Sequence, residues 1–97
     1  MSNNQNTKFP FLYENDVSTR EQNEQKFPNW EILDTGGRKY WLDVRGRLGW
    51  KARYIKEVDA SEVTVRFYQE IYNEMERLVE IHHKYPIDQG HQKVERS

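Results

Sequence analysis

The stretch WKARYIKEVDASEVTVRFYQEIY, residues 50–72, constrains the fold more than any other part of the chain. Side chains on a β-strand alternate between two faces, so apolar residues two apart share one of them. Trp50, Ala52, Tyr54 and Val58 do so in the first half, and Val63, Val65, Phe67 and Ile71 in the second. Asp59, Ala60 and Ser61 separate the halves as turn formers. Two antiparallel strands are therefore expected. Matching Val58 with Val63 sets Tyr54 against Phe67 and Trp50 against Ile71, and on the other face Lys51 against Glu70 and Arg53 against Tyr68. Apolar, aromatic and opposite-charge neighbours of this kind stabilise a sheet by roughly 0.2–1 kcal/mol per pair.

The flanking sequence continues the pattern. NWEIL and RKYWLDV surround DTGG, whose Gly36 and Gly37 can take the positive φ of a tight turn, and RGRLG is a second break. RLVEIHHKYP follows as a fifth block. Pro86 lacks an N–H and belongs at a strand end, after which Asp88, Gln89 and Gly90 turn the chain. A helix competes over the later residues, because Phe67, Ile71, Met75, Leu78, His82 and Tyr85 recur at spacings of four and three. Val63-Thr64-Val65 and the density of aromatic residues favour strands. The expectation is a mainly β fold: a small antiparallel sheet of four to five strands in a meander. One helix within residues 70–84 would make it α+β.

Only 35% of the residues are hydrophobic and 32% are charged, so the core must rest on its three Trp, six Tyr and four Phe. One domain is expected over residues 27–92. Residues 1–26, rich in Asn, Gln, Glu and Ser, read as a disordered tail, with KFPFLY as a short apolar docking segment, and residues 93–97 as a disordered C-terminus. There is no cysteine, no apolar run long enough to span a bilayer, and no basic start with an apolar middle near Met1. A cytoplasmic protein with no membrane partner is expected.

Residues 38–56 carry seven basic groups against Asp43 alone, and residues 57–81 carry seven acids against Arg66 and Arg77. The basic segment is interleaved with aromatic rings, which is what single-stranded nucleic acid uses: cations for phosphates and flat rings for bases. Arg53, Lys51, Trp41, Arg47 and Lys84 are the candidate contacts. Pairing Phe67 with Ile81 would bring Arg66 opposite His82 and Tyr68 opposite Glu80. With Arg66 on a phosphate and His82 or Glu80 as base, that set has the inventory of a metal-independent ribonuclease. The competing reading is a solvated polar sheet face, without catalysis.

All three histidines lie in EIHHKYPIDQGH. His82 or His83 with His91 and Glu80 or Asp88 would supply a two-histidine, one-carboxylate set. Adjacent histidines diverge on either a strand or a helix, however, and the spacing matches no zinc signature, so no metal and no cofactor is expected. A non-catalytic module, binding a protein partner or a second copy through a sheet edge or through KFPFLY, is the alternative function.

RGRLGWKARYIKEVD…VRFYQEIY…RLVEIHHKYPIDQGH, within residues 45–91, resembles a family of small prokaryotic domains of unknown function. Related copies carry a glycine-bearing turn near residues 73–76, which implies strands there; this chain has NEME instead. The order of strands ending in a histidine-rich segment also resembles TumE-type toxins of toxin–antitoxin pairs, which act on RNA or translation. That resemblance implies roles for Arg66, Tyr68, His82 and His91.

Overall fold

The computed structural model describes residues 19–94. Helix α1 (Arg20–Lys26) precedes six strands: β1 (Asn29–Ile32), β2 (Arg38–Arg45), β3 (Lys51–Val58), β4 (Thr64–Tyr72), β5 (Leu78–Tyr85) and β6 (Gly90–Lys93). They form one antiparallel sheet in the order β1-β2-β3-β4-β5-β6, a pure meander. The class is as expected, with one strand more than the four to five read from the sequence. β6 escaped because GHQK has no apolar alternation; its residues are exposed or half-buried. Residues 70–84, where a helix competed, are strand, turn and strand.

The helix instead falls within residues read as disordered tail, and this is a correction for residues 20–26. Its first turn is a capping box: Thr19 Oγ1 accepts from the Gln22 N–H at 3.1 Å, and Gln22 Oε1 accepts from the Thr19 N–H at 2.9 Å. Pro28 ends it by pushing Phe27 into an extended conformation (φ −117°, ψ 118°). Lys93, read as the start of a disordered end, closes β6. KFPFLY and the rest of residues 1–18, with residues 95–97, lie outside the described residues.

Three of the hairpins share one turn. In each, the first residue's N–H donates to the carbonyl four residues on, and the fourth residue's N–H donates back to the first: Leu33 to Gly37, Asp59 to Val63, Asn73 to Arg77. The fourth residue is left-handed: Gly36 (φ 90°), Glu62 (φ 71°) and Glu76 (φ 60°). Asp59 Oδ1 and Asn73 Oδ1 each accept two backbone N–H groups inside their turns, at 2.8–3.0 Å. Asn73 therefore specifies a turn that NEME, lacking glycine, does not announce.

One sheet face carries most of the core, with Ile55 and Tyr68 buried on the other. Phe27, Tyr40, Tyr54, Val58 and Phe67 are buried together, flanked by Leu42, Ala52 and Tyr85. Phe27 lies 5.9 Å from Tyr40, and Tyr54 stacks on Phe67 at 6.4 Å between ring centroids. Burying each such ring contributes on the order of 2–3 kcal/mol. Lys56 lies in the same row and is fully buried; its Nζ donates to Asn23 Oδ1 at 2.9 Å. Asn23 Nδ2 donates to Glu62 Oε2 at 3.1 Å, and the Tyr40 hydroxyl donates to the same oxygen. A polar chain thus fastens α1 to the sheet. No helix among the described residues is long and apolar enough to cross a membrane.

Candidate nucleic-acid interface

Strand register decides which side chains share the second face. β3 and β4 pair two residues away from the expected register: Arg53 meets Glu70 and Ala52 meets Ile71. An even shift leaves side chains from Arg66 to Tyr72 on their expected faces. A bulge at Glu57/Val58 sets Thr64 opposite Val58, so Val63 and Val65, expected in the core, are exposed. β4 and β5 behave differently. A bulge lies between Ile71 and Tyr72 and another between Phe67 and Tyr68, so Tyr68 meets His83 and Gln69 meets His82. A single extra residue sends side chains to opposite faces. The expected group Arg66, Tyr68, Glu80 and His82 is therefore split: Arg66 and Tyr68 lie on the second face, Glu80 and His82 on the first.

On the second face cations sit against rings. Arg53 Cζ lies 5.6 Å from the Trp41 centroid and 5.7 Å from that of Tyr72, and Lys51 Nζ lies 5.2 Å from Tyr72. Asp43 holds them in place: its carboxylate takes two bonds from Arg53, at 2.7 and 3.0 Å, with Lys51 Nζ at 3.7 Å. The Arg53 guanidinium keeps the Asp43 carboxyl below its ordinary value against the opposing effect of burial. Tyr72 donates to Glu70 Oε1 at 2.7 Å; burial, reinforced by that carboxylate, pushes its phenol up to about 12.

A second cluster lies toward β5. Glu57 accepts from Arg66 at 2.8 Å and from the Tyr68 hydroxyl at 3.0 Å, and Arg66 lies 5.4 Å from the Tyr68 ring. His83 packs against Tyr68 at 5.3 Å between centroids. Burial, with Glu57 beside it, raises the Tyr68 phenol strongly, so at neutral pH it is a hydrogen-bond donor. Arg66 remains half exposed and engages one carboxylate oxygen here, leaving guanidinium donors for an incoming anion. A recess of about 230 Å³ opens beside it, lined by Arg66, His83, Tyr85, Pro86, Ile87 and Gln89.

Arg47 stands in the turn between β2 and β3, at the end of the sheet, and Lys84 occupies the bulged position of β5 near Asp88. On the first face the remaining histidines are held by carboxylates: His82 Nε2 lies 2.6 Å from Asp88 Oδ1 and His91 Nδ1 2.9 Å from Glu80 Oε1, with the two rings 4.5 Å apart. The His82 ring, and then the Gly90 N–H, keep the Asp88 carboxyl below its ordinary value. Among the described residues no group of three His, Cys, Asp or Glu is placed to hold a metal ion.

Three participants were absent from the expected site. Tyr72 was readable, since it falls on the same alternation as Arg66, Tyr68 and Glu70. Glu57 was readable too, four residues along from Arg53 on its strand and so on the same face. His83 was hidden by the bulge. No family model, curated protein or solved structure matches the chain.

Proposed function

We propose that the second sheet face binds single-stranded RNA. The observation that carries this reading is the alternation of cations with aromatic rings across three neighbouring strands: Trp41, Arg53 and Lys51, Tyr72, then Tyr68 with Arg66. Trp41 and Tyr72, both half-buried, can stack on bases at about 1–3 kcal/mol each while the cations follow the phosphates; Tyr68 is buried and seats Arg66. Because Asp43 and Glu57 already engage the arginines, phosphate competes with carboxylate and binding is weak and salt-sensitive. For three phosphate contacts on a single strand, affinity falls about 20-fold between roughly 50 and 200 mM salt. Fluorescence anisotropy of a labelled single-stranded RNA measures this. Loss of binding in Arg53→Gln with Arg66→Gln, and a weaker but equally salt-dependent isotherm in Trp41→Ala, are the expected results. Absence of binding at low salt sinks the reading.

We further infer metal-independent cleavage at the Arg66 corner of the same face, with His83 in the role expected of His82. Arg66 holds the phosphate, His83 takes the proton of a 2′-hydroxyl as its oxygen attacks phosphorus, and water protonates the departing 5′ oxygen. Cleavage that persists with a chelator, survives His82→Ala and disappears in His83→Ala is the expected result. Uncut RNA confines the protein to binding.

A second reading has its own observation. β1 is an edge strand whose four residues are all exposed, with Trp30 at 42% and Ile32 at 66%. An extended segment of a protein partner or a second copy could add there. Sedimentation showing a mass that rises with concentration, and falls back in Ile32→Lys, would support it; a monomer throughout would remove self-association.

A further inference from the structure

The end of the sheet built by the β2–β3 and β4–β5 turns has features that neither RNA contact nor the core explains. Leu48, in the first turn, is held at φ 59° and is 88% exposed. A leucine in left-handed backbone costs about 1 kcal/mol, which glycine would not incur. The turn's backbone bonds hold that conformation, Gly46 N–H to the Trp50 carbonyl at 2.7 Å and Trp50 N–H to the Arg47 carbonyl at 3.0 Å, but the leucine side chain itself stands in solvent. Met75, at the neighbouring tip, is 64% exposed and Trp50 is 38% exposed. The tips touch: the Trp50 indole N–H donates to Glu74 Oε1 at 2.8 Å, and a Cβ built on Gly49 would lie 3.0 Å from that of Glu74. The two turns with their flanking residues, 45–51 and 73–77, carry Arg45, Arg47, Lys51 and Arg77 against Glu74 and Glu76, one of which is engaged by Trp50.

We propose that these paired tips dock the domain on an anionic lipid surface, with Leu48 and Met75 entering the interface and the basic side chains lying against headgroups. The shape and the charge select this occupant. Projecting aliphatic side chains suit the boundary between headgroups and acyl chains, where Trp also settles with its N–H satisfied. A second copy meeting tip to tip would set Arg47 near its own counterpart. RNA would gain nothing from Leu48 or Met75. Adsorption of this kind needs no spanning segment, and basic residues near an anionic leaflet each contribute about 1 kcal/mol.

The test is sedimentation of the full chain with vesicles of phosphatidylcholine alone, and with about a third phosphatidylserine added. Leu48→Gly and Met75→Ser are the variants, with melting temperature recorded for each. Co-sedimentation with the anionic vesicles only is expected, with a blue-shifted Trp emission that Trp50→Phe diminishes. Leu48→Gly should weaken binding about tenfold, part of the transfer free energy of a leucine. Its melting temperature should rise, since glycine relieves the left-handed backbone. Failure to sediment with anionic vesicles overturns the proposal. So does binding that is unchanged in the Leu48→Gly, Met75→Ser double variant, which would assign the attraction to charge elsewhere on the domain.

Discussion

Glu62 and Glu76 occupy the same position of the same turn, and replacing each by glycine should shift stability in opposite directions. The backbone contribution is shared. Both have left-handed φ, 71° and 60°, which costs a residue with a Cβ roughly 1–2 kcal/mol, while glycine returns about 0.5–1 kcal/mol as added freedom of the unfolded chain. The net gain is about 0.5–1 kcal/mol. Glu76 is exposed, so Glu76→Gly keeps that gain and raises the melting temperature by about 2–6 °C. Glu62 is buried and accepts from both Tyr40 and Asn23. Its removal leaves two buried donors without that acceptor, at about 1–3 kcal/mol each, so Glu62→Gly is destabilised by roughly 2–4 kcal/mol after the backbone gain. Thermal melts followed by circular dichroism, with urea midpoints at constant slope, read both changes. Destabilisation by Glu76→Gly, or equal shifts of one sign, would refute the turn argument. Glu62→Gln, which keeps an acceptor oxygen, should fall between wild type and Glu62→Gly.

Three further outcomes follow. In an alkaline titration at 295 nm, Tyr40 and Tyr72 should ionise near 12 and Tyr54 and Tyr68 above the ordinary 10.0, so most of the absorbance change comes late. Burial is the main cause in each. As raised groups, their contribution to stability is whole below 10.0 and is lost as pH rises through the folded values, and a single step near 10.0 would contradict the packing. Asp43→Asn should lower the melting temperature at neutral pH by removing the Arg53 pair; because the Asp43 carboxyl is depressed, the deficit should disappear as acid protonates the wild-type group. A deficit that persists in strong acid would mean lost packing instead. Phe27→Ala should cost about 3–5 kcal/mol, since that ring joins α1 to Tyr40, and a change below 1 kcal/mol would show the helix to be dispensable.

What could be read from the sequence follows from what alternation encodes. It records faces, so Trp41, Lys51 and Arg53 were correctly placed together and Tyr54 and Phe67 were assigned to the core. An error of two residues between β3 and β4 left faces intact from Arg66 onward, because parity survived there, while the bulge at Glu57/Val58 placed Thr64 in the core instead of Val63 and Val65. Alternation records no bulge, and the extra residue Val79, opposite Ile71 and Tyr72, was enough to put His83 rather than His82 on the face of Tyr68. Lys56 interrupts the apolar row of β3 and reads as a solvated cation; its burial depends on Asn23, which arrives from a helix of seven residues. That helix did leave a signal, Thr19-Arg20-Glu21-Gln22, but the surrounding polar composition outweighed it.

The histidine doublet makes β5 tolerant of insertion and deletion. An ordinary strand that gains or loses one residue exchanges the chemistry on its two sides, and any function tied to one side is lost. With His82 and His83 adjacent, an insertion before them would bring His82 to the position beside Tyr68, and a deletion would bring His83 to the position near Asp88. The hairpin could therefore vary in length during divergence while both sides of the sheet retained a histidine.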